Sequence, residues 1–207
     1  MHLRAAYPSR EHGEAAEAII EFVTTNYQLE AVLLVNSCAR GKATRDSCLD
    51  MVVLAQPEIL QSQLNSWEKE WDAFNQSNPV IQTLKTIGRY SVVHLDFTDG
   101  VFEPEERDEA AGPDSFELGV GNFLAYSVTL WQGSDYLAQL KRQWLPYYAE
   151  TLQDAGADAL ELNVFVMPSD FAKSSEENEK VYFDVIEEVK PNDQVKEIIS
   201  GIMEKVT

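Results

Sequence analysis

Residues 36–50 read Asn-Ser-Cys-Ala-Arg-Gly-Lys-Ala-Thr-Arg-Asp-Ser-Cys-Leu-Asp, and this stretch decides the fold prediction. An apolar run at 31–35 leads into it, and a second apolar run at 49–54 leads away from it. Short apolar runs bounded by small and polar residues are typical of buried strands. The sequence therefore predicts a strand, a turn with three basic residues, and a second strand over 48–54 that presents the carboxylate of Asp50.

The composition is that of a globular protein with a strongly acidic balance. The chain has 207 residues, of which 44% are hydrophobic and 25% are charged, and its formal net charge is −19. This length is enough for one domain or two small ones, with a substantial core. Nucleic-acid phosphates are bound by dense lysine and arginine, so the charge argues against a nucleic-acid partner. Simple solubility is the plainer interpretation of the acidic surface.

The sequence also argues against a membrane partner and against export. No apolar run approaches the roughly 20 residues that span a bilayer. Residues 1–17 lack the apolar centre of a secretory signal, so we expect a cytoplasmic protein. Cys38 and Cys48 are too few for a disulfide framework, and their number also predicts no zinc site. We expect both to be reduced thiols, and a regulatory disulfide between them is the open alternative.

Periodicity predicts the elements that flank this stretch. A helix capped by Ser9 should end near Asn26, and a second helix should run from Pro57 to the break at 78–79. Trp67 and Trp71 lie on the apolar stripe of the second helix, which favours a core role over cofactor stacking. A third strand is predicted over 90–97, with His94 and Asp96 on one face.

The chain is predicted to have two domains. The first covers 1–102, and the acidic segment 103–114, which ends in Gly-Pro, reads as a linker. The second, 115–207, is predicted to be helical. Its expected helices are 115–131, 134–152 with a kink at Pro146, 177–189 and 193–206, and segment 157–165 is either a helix or a strand.

The turn between the predicted strands resembles the signature of the nucleotidyltransferase superfamily, which includes DNA polymerase beta and kanamycin nucleotidyltransferase. In that family a Gly-Ser turn precedes an Asp-x-Asp pair on the next strand. Counted from Ser37, the two Asp positions fall on Cys48 and Asp50, and Asn36 stands at the Gly position. The resemblance covers residues 15–97. It implies an α+β fold in which a small mixed sheet is flanked by helices and followed by a C-terminal helical domain.

The resemblance also implies catalytic carboxylates. Asp50 would hold a metal ion, and Asp96 would hold the catalytic metal and accept the proton of the attacking hydroxyl. Cys48 replaces the carboxylate that bridges the two metals in the family, and a thiol is a poor magnesium ligand. Asp46 is an alternative ligand if the strand begins earlier, and Asp99 competes with Asp96.

Phosphate binding is assigned to the turn on the same resemblance. The hydroxyl and amide of Ser37 would bind the terminal phosphates, while Arg40 and Lys42 would neutralise their charge. Asn tolerates a left-handed conformation better than most residues, so the turn should survive at Asn36. His94 is either a ligand of metal or substrate, or a hydrogen-bonded core histidine. The predicted nucleotide-binding residues are Asn36, Ser37, Arg40, Gly41 and Lys42.

Taken together, these residues favour a nucleotidyltransferase. It would move a nucleoside monophosphate from a nucleoside triphosphate to a hydroxyl of a small molecule or a protein, with Mg²⁺ or Mn²⁺ as cofactor. A homodimer could complete the site. The alternative is a catalytically impaired protein of this fold that binds nucleotide or acts through protein contacts, which the loss of a carboxylate at Cys48 favours. A chance match on an unrelated α/β protein would predict no nucleotide affinity.

Overall fold

The structure is a computed structural model that describes residues 7–102, 115–156, 158–159, 166 and 191–206. The described residues form two compact units. The first, called the sheet unit, contains residues 7–100 together with Ser127–Leu137. The second unit contains the described residues within 101–126 and those from Ala138 onward.

The sheet unit begins with a helix and strand that match the sequence prediction. Helix α1 spans Arg10–Asn26, and the Ser9 side chain accepts a hydrogen bond from the His12 backbone N–H at its start. Strand β1, Ala31–Leu34, is buried along its whole length. A one-turn helix α2, Asn36–Ala39, and a loop over 40–48 connect it to strand β2, Leu49–Leu54.

Two helices and a strand complete the first hundred residues. Helix α3 spans Pro57–Ser77 and helix α4 spans Pro79–Leu84, with Asn78 between them capping α4. Strand β3 covers Val93–Thr98 and begins three residues later than the prediction. Trp67 and Trp71 of α3 are buried and stack at 6.3 Å between ring centroids, which confirms their core role.

The sheet is mixed and has the strand order β3-β2-β1-β4. Strand β1 pairs antiparallel with β2 and with β4, Val128–Gln132, whereas β2 pairs parallel with β3. One face of the sheet packs in the main core with α1, α3 and α4. Because side chains alternate along a strand, the neighbouring positions lie on the other face. The buried core-facing strand residues are Val32, Leu34, Leu49, Met51, Val53, Val93, Leu95 and Val128.

The predicted helix over 115–131 is wrong in its last third. Helix α5, Ser115–Val120, continues as a π-helix, Gly121–Ala125, and the chain then forms β4. Residues 128–131, Val-Thr-Leu-Trp, are β-branched, aliphatic and aromatic, a composition that suits a strand. The buried strand β1 also needs hydrogen-bond partners on both edges, and β4 supplies the second one. Strand β1 lies about a hundred positions before β4 in the chain, so the local periodicity of the sequence does not reveal this pairing.

The second unit is helical in its described parts. Helix α6, Tyr136–Ala155, contains Pro146, and helix α7 covers Pro191–Met203. Edge-to-face aromatic contacts join Phe102, Phe116 and Trp144 at centroid distances of 5.8–6.1 Å. The segment 103–114, the predicted helix 177–189 and all but two residues of 157–165 lie outside the described residues. No helix in the described part of the chain is both long and apolar enough to cross a bilayer.

Candidate functional site

Three metal-ligating side chains meet where β2 and β3 run side by side. Asp50 of β2 is the register partner of His94 on β3, and the parallel pairing places both on the face opposite the main core. Cys48 precedes Asp50 by two residues and therefore projects to the same side. The Cys48 sulfur, an Asp50 oxygen and a His94 nitrogen all lie within 4.8 Å of one another. We call these residues the CDH cluster.

Asp96 lies on the same face of β3 but outside the CDH cluster. It follows His94 by two residues, is paired in register with Val52, and is exposed. Its charge still reaches Asp50, because it contributes to raising the pKa of that carboxyl. Asp96 therefore stands beside the cluster as a second carboxylate. Its predicted role as a metal ligand stays a prediction.

The carboxyl group of Asp50 interacts with most of the other polar and charged groups of the site. Its side chain is buried, and burial raises the pKa of the carboxyl above its ordinary value. His94, a hydrogen bond from the Asn36 side chain and the Arg40 guanidinium act in the opposite direction. Burial makes the charged form of this carboxylate costly in free energy. A bound cation would offset that cost.

The turn between β1 and α2 is left-handed at Asn36, as the sequence predicts. The φ angle of Asn36 is 54°, which makes it a non-glycine residue in the region that glycine favours. This conformation turns the chain out of β1 and sets the Asn36 side chain against Asp50. Asn36 thus contributes both to the turn and to a contact with the carboxylate.

Two of the three basic side chains of the turn, those of Arg40 and Lys42, are partly buried. Burial lowers the pKa of Arg40 to about 10, although Asp50 and Cys38 oppose this. Burial lowers the pKa of Lys42 to about 8, and the positive charge of Arg40 adds to the effect. Arg40 and Lys42 are both partly buried and lie close enough to interact. Two such positive charges create a site in which an anion would be stabilised.

The backbone of the turn is wound tightly around Ser37 and Gly41. The Ser37 carbonyl accepts hydrogen bonds from the amides of Lys42 and Ala43 at 2.9 and 3.1 Å. Gly41 has a φ of 69°, so it supplies the second left-handed position. These bonds bring the Ser37 carbonyl and the Lys42 amide together. The binding of a nucleotide by Ser37, Gly41 and Lys42 stays a prediction.

Both cysteines are free thiols in this structure. The Cys38 thiol is buried and donates to the Cys48 carbonyl at 3.6 Å, and burial raises its pKa to about 12. Burial also raises the pKa of Cys48, and the neighbouring Asp50 adds to the shift. Neither cysteine therefore has the lowered pKa of a nucleophilic thiol. Cys38 is a core residue, and Cys48 is a member of the CDH cluster.

Loop 40–48 is held from two sides. The buried His12 of α1 bonds through Nε2 to the Ser47 carbonyl at 2.9 Å, and its Nδ1 bonds to Ser9 Oγ at 2.8 Å. On the other side, Ser91 Oγ donates to the Arg45 carbonyl at 2.8 Å. These contacts fix the end of the loop from which Cys48 projects.

Asp46 and Asp99, the alternative carboxylate ligands expected from the sequence, make their contacts outside the CDH cluster. Asp46 packs against Gly88, where an added Cβ would lie 2.3 Å from its Oδ1, so it is part of the loop packing. Asp99 follows the end of β3, and its backbone carbonyl accepts a hydrogen bond from the Tyr136 hydroxyl at 3.0 Å. Neither belongs to the CDH cluster.

His94 has a larger role than the sequence alone could assign. It is exposed, so it is not a buried core histidine. The sequence places it two residues from Asp96 on a strand, but only the register of β3 against β2 sets it opposite Asp50. His12 was missed entirely, because a lone histidine in an amphipathic helix gives no indication that it anchors a distant loop.

The donor set of the CDH cluster is mixed. Magnesium prefers a shell of oxygen atoms, and this cluster offers one carboxylate beside a sulfur and a nitrogen. The magnesium or manganese implied by the family resemblance stays a prediction. No protein-family model matches this chain, and comparison with curated proteins returns no match.

Proposed function

We propose that the sheet unit binds a nucleoside triphosphate and transfers its nucleoside monophosphate to a hydroxyl group. One observation carries the proposal. Arg40 and Lys42 are partly withdrawn from water on a left-handed turn whose first residue, Asn36, bonds to the buried Asp50. This arrangement puts two cations and a carboxylate side by side, which suits a phosphate chain bound together with a metal ion.

The proposed chemistry uses Asp96 as the proton acceptor. The oxygen of the acceptor hydroxyl forms a bond to the α-phosphorus, and the bond from that phosphorus to the β-phosphate oxygen breaks. Pyrophosphate leaves, and the hydroxyl proton passes to the Asp96 carboxylate, which is exposed on the same face as Asp50. A divalent ion at Asp50 would stabilise the negative charge on the phosphate oxygens.

The proposal keeps the acceptor and location expected from the sequence. The acceptor is a hydroxyl of a small molecule or a protein, because the formal charge of −19 disfavours a polynucleotide. Nucleoside triphosphates are intracellular, so a cytoplasmic location is part of the same proposal.

A second candidate function is nucleotide binding without transfer. Cys48 favours it, because a thiol stands where the family resemblance implies a metal-bridging carboxylate. Both candidates require the phosphate site, and they differ in whether pyrophosphate is released.

Calorimetric titration with ATP, GTP, CTP and UTP, each with and without Mg²⁺ or Mn²⁺, tests the phosphate site. Arg40→Met and Lys42→Met should each weaken binding by about tenfold or more, because each removes a charge-assisted contact. Arg45→Met is the matched control. It removes the same charge from the same loop, but Arg45 is exposed and influences Glu11 at the start of α1.

Release of pyrophosphate from an α-labelled triphosphate then separates transfer from binding. Label that stays on the protein or on an added hydroxyl compound supports transfer, whereas binding without release supports the second candidate. Absence of binding to all four triphosphates under every metal condition would overturn both.

A further inference from the structure

We propose that Cys48, Asp50 and His94 bind a transition-metal ion of the zinc class, with one coordination position left open. The inference concerns the identity of the ion and depends on the CDH cluster alone. It holds whether or not the protein binds a nucleotide, so it stands apart from the proposed function. No pair of closely spaced cysteines marks this cluster in the sequence, because its members come from two separate segments of the chain, at β2 and at β3.

The donor atoms carry the first step. Zinc is bound in proteins by thiolate sulfur, imidazole nitrogen and carboxylate oxygen, usually in a tetrahedron. The CDH cluster offers one atom of each kind. A hard ion such as Mg²⁺ would gain only the carboxylate, whereas a borderline ion gains all three. The replacement of an expected carboxylate by Cys48 therefore changes the preferred metal instead of merely weakening the site.

The geometry carries the second step. Zinc–ligand bonds of about 2.0–2.3 Å place the donors of a tetrahedron roughly 3.3–3.8 Å apart. The three donor atoms lie within 4.8 Å of one another before any ion is considered. The donor atoms therefore need to approach one another by at most about 1.0–1.5 Å, which rotation of the side chains can supply. The backbone positions are already fixed, because Cys48 and Asp50 lie next to each other on one face and His94 is the register partner of Asp50.

The surroundings of the ligands carry the third step. Metal-binding carboxylates are usually oriented by a further hydrogen-bonding partner, and the Asn36 side chain provides one for Asp50. The Cys48 backbone is held by the Cys38 thiol at 3.6 Å, and the preceding residue is held by His12. The exposed His94 leaves a route by which an ion can enter.

Three protein ligands leave the fourth tetrahedral position for water or a phosphate oxygen. Structural zinc sites fill all four positions with protein atoms, whereas catalytic ones keep one open. With the three ligands that the described part of the chain supplies, the CDH cluster belongs to the second type. A thiolate and a carboxylate together also balance the two positive charges of the ion.

The test uses the full-length, reduced protein after treatment with a chelator and without any nucleotide. Co²⁺ is added first, because a tetrahedral cobalt–thiolate centre absorbs in the visible range and has a sulfur-to-cobalt band in the near ultraviolet. Zn²⁺ should then abolish both bands at one ion per chain. Cys48→Ser should eliminate the sulfur band. Asp50→Asn and His94→Gln should each weaken Zn²⁺ binding more than about 100-fold, because even outer-shell partners contribute 10–100-fold.

Two control variants sharpen the result. Cys38→Ala removes the other thiol, which lies outside the cluster, so the sulfur band should persist. Asp96→Asn removes the neighbouring carboxylate and should leave Zn²⁺ affinity within a few-fold of the wild type. Thermal unfolding without metal shows whether each variant folds. If Cys48→Ser is too unstable to titrate, a rise in wild-type melting temperature on adding Zn²⁺ that His94→Gln lacks gives the same information.

The inference is overturned if the wild type shows no sulfur-to-cobalt band, or if Cys38→Ala removes the band while Cys48→Ser keeps it. It is also overturned if Asp96→Asn weakens Zn²⁺ binding as much as His94→Gln does. Because nucleotide is absent throughout, none of these results depends on the phosphate site. Triphosphate binding that is lost in Lys42→Met would support the proposed function even if zinc binding failed.

Discussion

Asn36 shows how one residue links the fold to the site. Its left-handed backbone, with φ of 54°, lets the chain leave β1, and its side chain reaches Asp50. A left-handed conformation costs an ordinary L-residue about 1–2 kcal/mol, less for asparagine, and almost nothing for glycine. The two tasks can therefore be separated by substitution.

We expect Asn36→Ala to lower the free energy of unfolding by about 1–2 kcal/mol, because alanine keeps the strain and loses the bond to Asp50. Asn36→Gly is the matched variant, which loses the same bond without the strain and should be more stable than the alanine variant. Urea denaturation measures both. Equal stabilities for the two variants would show that the left-handed turn is not maintained in solution.

Lys42 makes phosphate binding sensitive to pH. Its pKa is lowered to about 8 by burial and by Arg40, so its ammonium group loses a proton as the pH rises through that value. Only the charged form attracts phosphate, so affinity should be full below about pH 7 and should fall toward pH 9. ATP titrations across this range should show the decline in the wild type. A decline of equal size in Lys42→Met would assign it to another group.

At the level of elements, loop 40–48 is positioned by His12 and Ser91, which lie outside the CDH cluster. The His12 bond to the Ser47 carbonyl and the Ser91 bond to the Arg45 carbonyl hold it between α1 and the segment before β3. A buried carbonyl that loses its donor costs about 1–3 kcal/mol. The loop should therefore become less ordered when one of these contacts is removed.

We expect His12→Ala to destabilise the protein by about 2–4 kcal/mol, since it removes the bond to Ser47 and leaves a cavity. It should also weaken cobalt and nucleotide binding, because Cys48 follows Ser47 directly. Asn78→Ala is the control, since it removes the cap that accepts from the Val80 and Ile81 amides of α4. That variant should lose about 1 kcal/mol and keep wild-type binding. Weaker metal binding in both variants would indicate a general loss of stability.

At the scale of the whole molecule, repulsion between like charges opposes the fold. The chain has 35 acidic residues against 16 basic ones. Ion pairs such as Arg10–Glu14 at 2.5 Å and Lys196–Asp193 at 3.7 Å are exposed and contribute little. A net charge of this size destabilises a compact state, and salt screens it.

Raising NaCl from about 10 mM to about 500 mM should therefore raise the melting temperature by several degrees, since 1 kcal/mol corresponds to roughly 2–4 °C at this chain length. Differential scanning calorimetry measures the change. Sucrose is the control, because it stabilises compact states without screening charge. An unchanged or lower melting temperature in NaCl would show that charge repulsion does not lower the stability of the protein significantly.

Elements with a local pattern are predictable from the amino-acid sequence. The cap at Ser9, the helix to Asn26, the run of β1 and the break at Asn78 follow from neighbouring residues, because caps, periodicity and proline act within a few positions. The left-handed turn at Asn36 and the alternation of His94 and Leu95 across β3 are local in the same sense.

Which of these elements meet depends on contacts between distant parts of the chain. Strand β4 forms because β1 requires a second edge partner, and His94 joins Asp50 because β3 aligns with β2 in one parallel register. A shift of one residue in the register of β3 against β2 would point His94 toward the main core. The CDH cluster would then lose its nitrogen ligand. Such pairings depend on hydrogen bonds and burial between distant segments, so neither composition nor spacing along the chain contains them.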